Sequence, residues 1–397
     1  MTILFPAPFS NISMKLSLWH FLFCTTLLFW SSTLSAQGRN NANQTTEKTS
    51  LEEGLPRGTL LRENESIFTT KAKLFATGFA QPEALAADAL GNIYIADYRF
   101  RGAIGKITPD GSASIFTLLP EYLEEGERDL QITGLRIDNN GQVVGTESKT
   151  NSLFLVDLAG ETVEILADRY LGRQFQNLCD LAIAPNGDIY FLDAGDSDKT
   201  NSGTLYRFNI VEKKVETVFE NLDRPRTLAV DPIKNEIFLT EEGKSRLLHL
   251  RFATIENSEN RALVDLREIA YFPPQGSDLP GLRFGGIAFD QKGHIYLSMT
   301  VQSSETSNGS ENNVSQEGLN ALLTEEKSLA KKTEPSSQLI VLNPQTGKVL
   351  ETLAVGRGRV TDLHFFENHL YLTLPDKEAV FHIESRYKGF LYTPFQR

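Results

Sequence analysis

The chain has few cysteines, two among 397 residues, Cys24 and Cys179. Cys24 lies in an apolar segment near the N-terminus, so a chain processed after that segment keeps Cys179 alone. A single cysteine excludes an intramolecular disulfide, even in an oxidising compartment. Stability must then come from buried apolar surface, and roughly 360 remaining residues are enough to provide it.

Basic residues are in the minority, with 39 Lys and Arg against 51 Asp and Glu, and the net charge is −12. No basic cluster is visible, so we do not expect nucleic acid or an anionic membrane as a partner. Several catalytic patterns are missing as well. The sequence contains no Gly-x-Ser-x-Gly elbow, no phosphate-binding loop and no Cys-x-x-Cys site, and its histidines are scattered without a metal-like pair.

Long apolar runs are also scarce. The run Phe21–Trp30 is too short to span a membrane, which takes roughly 20 apolar residues. Lys15 precedes it and the small residues of Ser31–Ala36 follow it, an order typical of a secretory signal. We predict a signal peptide over residues 1–36, with Met14 as an alternative start and an uncleaved anchor as the alternative outcome. The protein is thus expected to be periplasmic or extracellular, with no integral membrane domain after signal removal.

After residues 37–70, predicted to be a disordered lead-in, one motif recurs six times. Each copy has an apolar strand, a turn rich in Asp, Asn and Gly, and a second apolar strand. Such turns favour hairpins because they accommodate positive φ angles. The copies begin at Pro82, Ile132, Leu178, Pro225, Phe284 and Val360. Six copies spaced like propeller blades predict an all-β fold, a six-bladed β-propeller over residues 71–387. A β-sandwich is the alternative, but sandwiches do not repeat one motif six times.

Further strands follow each hairpin, except that the sixth copy lacks an outer strand. Lys73–Thr77 has the right character to fill this place, so we predict that an N-terminal strand closes the ring and removes a sheet edge. Residues 303–336 interrupt the fifth copy and are predicted to be a mobile insertion. Residues 388–397 are assigned to a C-terminal tail.

Four acids recur where the second strand ends, at Asp97, Glu147, Asp193 and Glu241. Two interpretations are open. The acids could make one mouth of the ring acidic, or they could accept backbone hydrogen bonds from the turns of each repeat.

The repeats resemble a known family. The segments Asn92-Ile-Tyr-Ile-Ala-Asp97 and Ala184-Pro-Asn-Gly-Asp-Ile-Tyr-Phe-Leu-Asp193 are similar to those of the senescence marker protein, gluconolactonase and luciferin-regenerating-enzyme family, and also to NHL-repeat propellers. The resemblance covers nearly all of the chain after the lead-in. It implies a TolB-like or gluconolactonase-like propeller, a fold that hosts many functions.

The family places a divalent cation, usually calcium, in the central channel on Glu, Asn, Asn and Asp ligands. The matching positions here are Glu83, Thr133, Cys179 and Arg226. Glu83 alone matches the family's ligand, and a guanidinium at position 226 carries a permanent positive charge. We therefore predict no metal site and no cofactor, although calcium is the cofactor that the resemblance implies.

Glu83 and Arg226 lie three blades apart, so the register predicts that they face one another across the channel. Arg226 is predicted to bind an anionic ligand, with Glu83, Thr133, Cys179 and Asp362 as further ligand-binding candidates. A structural Glu83–Arg226 pair is the alternative. Asp180 and Asp362 occupy the next position along the inner strand, where they line the channel or accept backbone hydrogen bonds.

Two functions follow. The first is a propeller that binds a small anionic or sugar-like ligand or a protein partner. The second is a divergent lactonase or esterase-type hydrolase acting on a sugar lactone or related ester, with Glu83 as the catalytic residue and Asp180 assisting it.

Overall fold

The computed structural model describes residues 65–119, 130–254, 261–272, 282–301 and 335–390. The predicted signal peptide, residues 37–64 of the lead-in, residues 303–334 of the insertion and residues 391–397 of the tail lie outside the described residues. No helix within the described residues is long and apolar enough to cross a membrane.

Six antiparallel four-stranded sheets form the blades, and the innermost strand of each comes from the repeated motif. The strands of blade one are β2 (Leu85–Ala87), β3 (Ile93–Ala96), β4 (Ala103–Ile107) and β5 (Ala113–Leu118). Those of blade two are β6 (Ile132–Ile137), β7 (Val143–Glu147), β8 (Ser152–Val156) and β9 (Val163–Ala167). Those of blade three are β12 (Leu178–Ile183), β13 (Ile189–Asp193), β14 (Gly203–Asn209) and β15 (Lys214–Leu222).

The second half of the ring has the same design. The strands of blade four are β16 (Pro225–Val230), β17 (Ile237–Glu241), β18 (Arg246–Thr254) and β19 (Arg261–Tyr271). Those of blade five are β20 (Arg283–Phe289), β21 (Ile295–Val301), β22 (Ser336–Leu342) and β23 (Val349–Arg357). Those of blade six are β24 (Asp362–Phe366), β25 (His369–Leu374), β26 (Ala379–Glu384) and β1 (Lys73–Thr77). A small hairpin of β10 (Arg169–Tyr170) and β11 (Arg173–Gln174), not predicted from the sequence, joins blades two and three.

The inner strands contact one another in chain order around a central channel, and β24 returns to β2. Clusters of buried apolar side chains fill the spaces between neighbouring blades. For example, Phe154 of blade two and Tyr94 of blade one belong to the same cluster. Burial between sheets is the main favourable contribution to such a fold, because it removes apolar surface from water. The predicted six-bladed propeller is confirmed.

The outer strand of blade six is β1, which pairs antiparallel with β26 from Lys73 opposite His382 to Thr77 opposite Ala379. This is the place predicted for it. Residues before Lys71 also belong to the packed fold: Ile67 and Phe68, which the sequence assigned to the lead-in, are buried against blades five and six. Apolar residues too few to form a periodic pattern gave no signal of this packing.

Lys388–Phe390, assigned to the tail, continues the fold along blade five. Gly389 forms a β-bridge with Asp290, and the Lys388 carbonyl accepts a hydrogen bond of 2.8 Å from the Gln291 amide. Phe390 lines a small cavity at the end of the channel where the turns between first and second strands lie.

The four recurring acids cap turns. All four are buried, and their carboxylates accept hydrogen bonds from backbone N–H groups. Asp193, for instance, accepts hydrogen bonds from Gln176 and Asn177 at 2.9 Å and from Gly195 at 2.8 Å. The capping interpretation therefore accounts for these positions.

Candidate functional site

A cavity of about 540 Å³ opens at the face that carries the loops between second and third strands. Inner-strand residues form its floor, and the one-turn 3₁₀ helices Glu242–Lys244 and Pro375–Lys377 contribute Glu242 and Asp376 to its wall. Its charged lining residues are Glu83, Arg224, Arg226, Glu242, Arg283, Arg359 and Asp376. A second cavity of about 410 Å³ adjoins it over blade three and shares Asn177, Gly195 and Ser197 with it.

Glu83 lies on the floor between two arginines. Its Oε2 accepts a hydrogen bond from Arg226 Nη2 at 3.3 Å, and its Oε1 accepts one from Arg359 Nη2 at 3.2 Å. Glu83 is buried, whereas the two guanidiniums are half-buried and each retains further N–H donors. The pairing of Glu83 and Arg226 across the channel is the geometry that the repeat register predicts. Arg359 is an addition that sequence reasoning missed.

The rim of the cavity has two chemically different halves. The residue two positions before the family's ligand position is Gln81, Gln131 and Asn177 in blades one to three, and Arg224, Arg283 and Arg359 in blades four to six. All of these except Gln81 line the cavity. This pattern could have been predicted from the sequence. The six residues that lie two positions before the ligand position of each repeat are the amides and arginines of this ring.

Arg136 forms a buried cluster below the floor with Asp180 and Asp362. Its Nη2 lies 3.2 Å from Asp180 Oδ1, and its Nη1 lies 3.1 Å from Asp362 Oδ2. The two carboxylates also bond to the blade that follows each of them. Asp180 Oδ2 accepts hydrogen bonds from Thr227 Oγ1 at 2.7 Å and from the Leu228 amide at 3.0 Å.

Asp362 closes the same network between blades six and one. Its Oδ2 accepts a hydrogen bond of 3.1 Å from the Leu85 amide, and its Oδ1 accepts one of 2.8 Å from the Leu363 amide. Asp180 and Asp362 thus lie in the channel beneath the cavity, and they do not belong to the described residues that line it. Both interpretations of these acids are met in part, because they face the channel and also accept backbone hydrogen bonds.

The remaining predicted residues are held by neighbouring strands. Thr133 is absent from the described lining of the cavity, and its Oγ1 donates to the Leu178 carbonyl at 2.9 Å. Cys179 lines the cavity but is buried, with its Sγ 3.4 Å from the Pro225 carbonyl oxygen. Burial raises the pKa of the Cys179 thiol, so the thiol stays protonated at neutral pH.

The residues at the implied cation position do not fit a divalent ion. Both oxygens of Glu83 face guanidiniums, and Thr133 and Cys179 direct their side chains to carbonyl oxygens. A divalent cation needs several oxygen ligands and would meet two positive charges here. Within the described part of the chain, no group of three His, Cys, Asp or Glu side chains is arranged to hold a metal ion.

Solved structures with the same architecture include regucalcin, a calcium-binding protein from Agrobacterium tumefaciens, at 14% identity and a TM-score of 0.58 over 83% of this chain and 98% of that one. The fold is that of the gluconolactonase-like propellers. A luciferin-regenerating enzyme matches at 15% identity and a TM-score of 0.57 over 81% of this chain and 97% of that one. A gluconolactonase from Xanthomonas campestris matches at 17% identity and a TM-score of 0.53 over 78% of this chain and 88% of that one.

The sequence of this gluconolactonase-like propeller matches a known protein over a smaller part of the chain than its structure does. A curated gluconolactonase of Zymomonas mobilis is 23% identical over 209 residues, which are 49% of this chain. The chain spans 57% of the length of that relative. No protein-family profile matches the chain. The structural matches show the shared fold alone, and the chemistry has to be argued from the residues of the site.

Proposed function

We propose that this propeller binds a small anionic ligand with a polar body in the cavity above Glu83. The observation that carries the proposal is the Arg226–Glu83–Arg359 group, in which two half-buried guanidiniums share one carboxylate at the floor of the cavity. A ligand carboxylate placed opposite Glu83 accepts the remaining N–H donors of both arginines. Charge-assisted, fork-like contacts of this kind favour carboxylates and phosphates.

The body of the ligand is expected to be rich in hydroxyl or amide groups. The wall opposite the arginines carries Gln131 and Asn177, and Ser197 continues it into the adjoining cavity over blade three. Such side chains offer both donors and acceptors, which suits a sugar-like molecule. A protein partner could present the same groups on an exposed loop.

Titration calorimetry with gluconate and sorbitol tests this proposal, because the two molecules differ in the single carboxylate. We expect gluconate to bind and sorbitol to bind more weakly. Arg226→Ala is expected to weaken gluconate binding by roughly 10- to 100-fold through the loss of charged hydrogen bonds. The matched control is Arg267→Ala, since Arg267 is exposed on outer strand β19. Equal affinity of the wild type and Arg226→Ala for gluconate would refute the proposed role of Arg226.

A lactonase activity is the second candidate, and the similarity to the Zymomonas mobilis gluconolactonase favours it. Glu83 would be the catalytic carboxylate, because it lies in the cavity, whereas Asp180 is bonded to Arg136 below the floor. Hydrolysis of glucono-δ-lactone, followed by proton release with and without calcium, tests it. Turnover abolished by Glu83→Gln supports the enzyme, and absence of turnover excludes it for this lactone.

We also propose that the protein acts outside the cytoplasm, as the signal-like order of Lys15, Phe21–Trp30 and Ser31–Ala36 suggests. Expression of the full chain, cell fractionation and N-terminal sequencing test this directly. A mature protein that begins at Gln37 in the periplasm or medium supports it. A full-length cytoplasmic protein contradicts it.

A further inference from the structure

Six charged side chains in the channel form two stacked levels. The upper level contains Glu83, Arg226 and Arg359, and the lower level contains Arg136, Asp180 and Asp362. Three guanidiniums thus face three carboxylates. With no ligand bound, the charges of these described residues balance.

The two levels are in close contact. Arg226 is followed directly by Thr227, whose Oγ1 donates to Asp180 Oδ2 at 2.7 Å. Thr361 lines the cavity and is followed directly by Asp362. A charge that arrives at the upper level therefore acts on the lower level, because Glu83 above and Arg136, Asp180 and Asp362 below are all buried.

The rim of the cavity does not supply a compensating charge. Arg283 Nη1 lies 2.8 Å from Glu242 Oε2, and Asp376 Oδ2 accepts a hydrogen bond of 2.8 Å from the Arg359 amide. Arg224 and Arg283 on the rim are matched in number by Glu242 and Asp376. A bound anion consequently leaves the channel with one uncompensated negative charge.

We infer that the channel takes up its anion together with one proton, and that Asp362 in the lower level is the group that accepts the proton. The inference rests on the proposed function and adds the regulation of the same site. A proton from the solvent adds to the Asp362 carboxylate, no other bond is made or broken, and the balance of charges is restored. Affinity for the anion is then greater in acidic than in alkaline medium.

Asp362 is the best placed acceptor because of its surroundings. Burial and the neighbouring Asp180 raise its pKa, and Arg136 opposes this rise. The other groups facing it are the Leu85 amide on β2 and His364 on its own strand, and burial holds the pKa of His364 at about 3. The inner strand of blade five contributes glycines at the facing positions and no charge.

Asp97 in blade one is a competing acceptor. It is buried, burial raises its pKa to about 8, and the charge of Glu83 adds to that rise. Proton uptake by Asp97 would place the coupling at a turn-capping acid outside the two levels. The experiment must therefore separate the two carboxylates.

Calorimetric titration of the full-length protein with sodium gluconate provides the test, carried out between about pH 5.5 and 8.5 in Bis-Tris and in imidazole, cationic buffers of different ionisation enthalpy. We expect uptake approaching one proton per gluconate near neutral pH. Above the pKa that Asp362 has in the protein without gluconate, the Kd for gluconate should rise by up to about tenfold per pH unit. Asp362→Asn should bind gluconate without proton uptake, whereas Asp97→Asn and the control His382→Gln should retain the uptake.

The outcomes separate the two proposals. Gluconate binding with no proton uptake overturns the linkage and leaves the anion site in place, and no gluconate binding overturns both. Uptake that persists in Asp362→Asn but disappears in Asp97→Asn overturns the assignment to Asp362. If Asp362→Asn does not fold, infrared difference spectra of the wild type serve instead, and the absence of a protonated-carboxyl band on gluconate addition overturns the inference.

Discussion

Individual residues of the site were predictable where the repeat register alone decides their position. Glu83 and Arg226 occupy equivalent positions three blades apart, and the structure brings them to 3.3 Å. Arg359 escaped notice because it lies one residue before the sixth motif begins. Its contact with Glu83 depends on how the side chain turns toward the channel axis, which no periodicity encodes. Arg136 was not predicted because the equivalent positions of neighbouring blades hold alanines, such as Ala86 and Ala182. The comparison of the repeats therefore gave no recurring polar position there.

Asp97 makes a prediction about pH at the same scale. Its pKa is raised to about 8 by burial, so the folded protein favours the protonated acid. The associated stability is fully present below the unfolded pKa and is lost as the pH rises toward 8. In the wild type the Gly102 amide donates a hydrogen bond of 2.7 Å to Asp97 Oδ1. Asp97→Asn removes the pH dependence and keeps an oxygen that can accept this hydrogen bond.

We therefore expect the free energy of unfolding of the wild type, relative to Asp97→Asn, to fall by about 2 kcal/mol between pH 6 and 8. Urea denaturation of both proteins at each pH measures the difference. A constant difference across that interval would contradict the raised pKa.

At the scale of the element, the side chains of one inner strand determine how closely its neighbour can pack. Blade five has Gly285 and Gly286 at the start of its inner strand, and a Cβ at position 286 would lie 2.2 Å from the Leu363 amide nitrogen of blade six. Backbone cannot move aside as a flexible side chain can. The glycine pair thus explains how blades five and six approach one another, a requirement that the sequence motif alone does not reveal.

Gly286→Ala is expected to lower the free energy of unfolding by about 2–3 kcal/mol, because the added methyl group overpacks the contact with blade six. The matched control is Gly111→Ala, at a turn with open space around the added atom and a φ of 85°. That control should cost about 1 kcal/mol through backbone strain alone. Urea denaturation of the two variants compares them, and an equal cost would show that the contact with blade six can relax.

The whole ring was predictable from the sequence because six copies of one motif, each with its own turn, leave few alternative folds. The small hairpin between blades two and three and the packing of Ile67, Phe68 and Phe390 were not predictable. These parts occur once and carry no period, so their places are set by surfaces that exist only after the ring has formed.

Closure of the ring can be tested by shortening the chain. A protein that begins at Glu65 keeps β1, whereas one that begins at Phe79 leaves the edge of β26 unpaired. We expect the shorter protein to lose at least about 5 °C in Tm and to associate through the exposed edge. Thermal melts and sedimentation measure both effects, with the Glu65 protein as the control. Equal Tm values and a monomeric shorter protein would contradict a closing role for β1.

The pairing of Lys73 with His382 has a consequence for the order of events during synthesis. Strand β1 can pair only after β26 has been synthesised. At roughly 5–20 residues per second, the chain between them takes about 15–60 s to be made. During that time five blades can assemble while the sixth has only its outer strand β1 and lacks β24, β25 and β26. The ring can therefore be completed only after β26 has been synthesised, however early β1 leaves the ribosome.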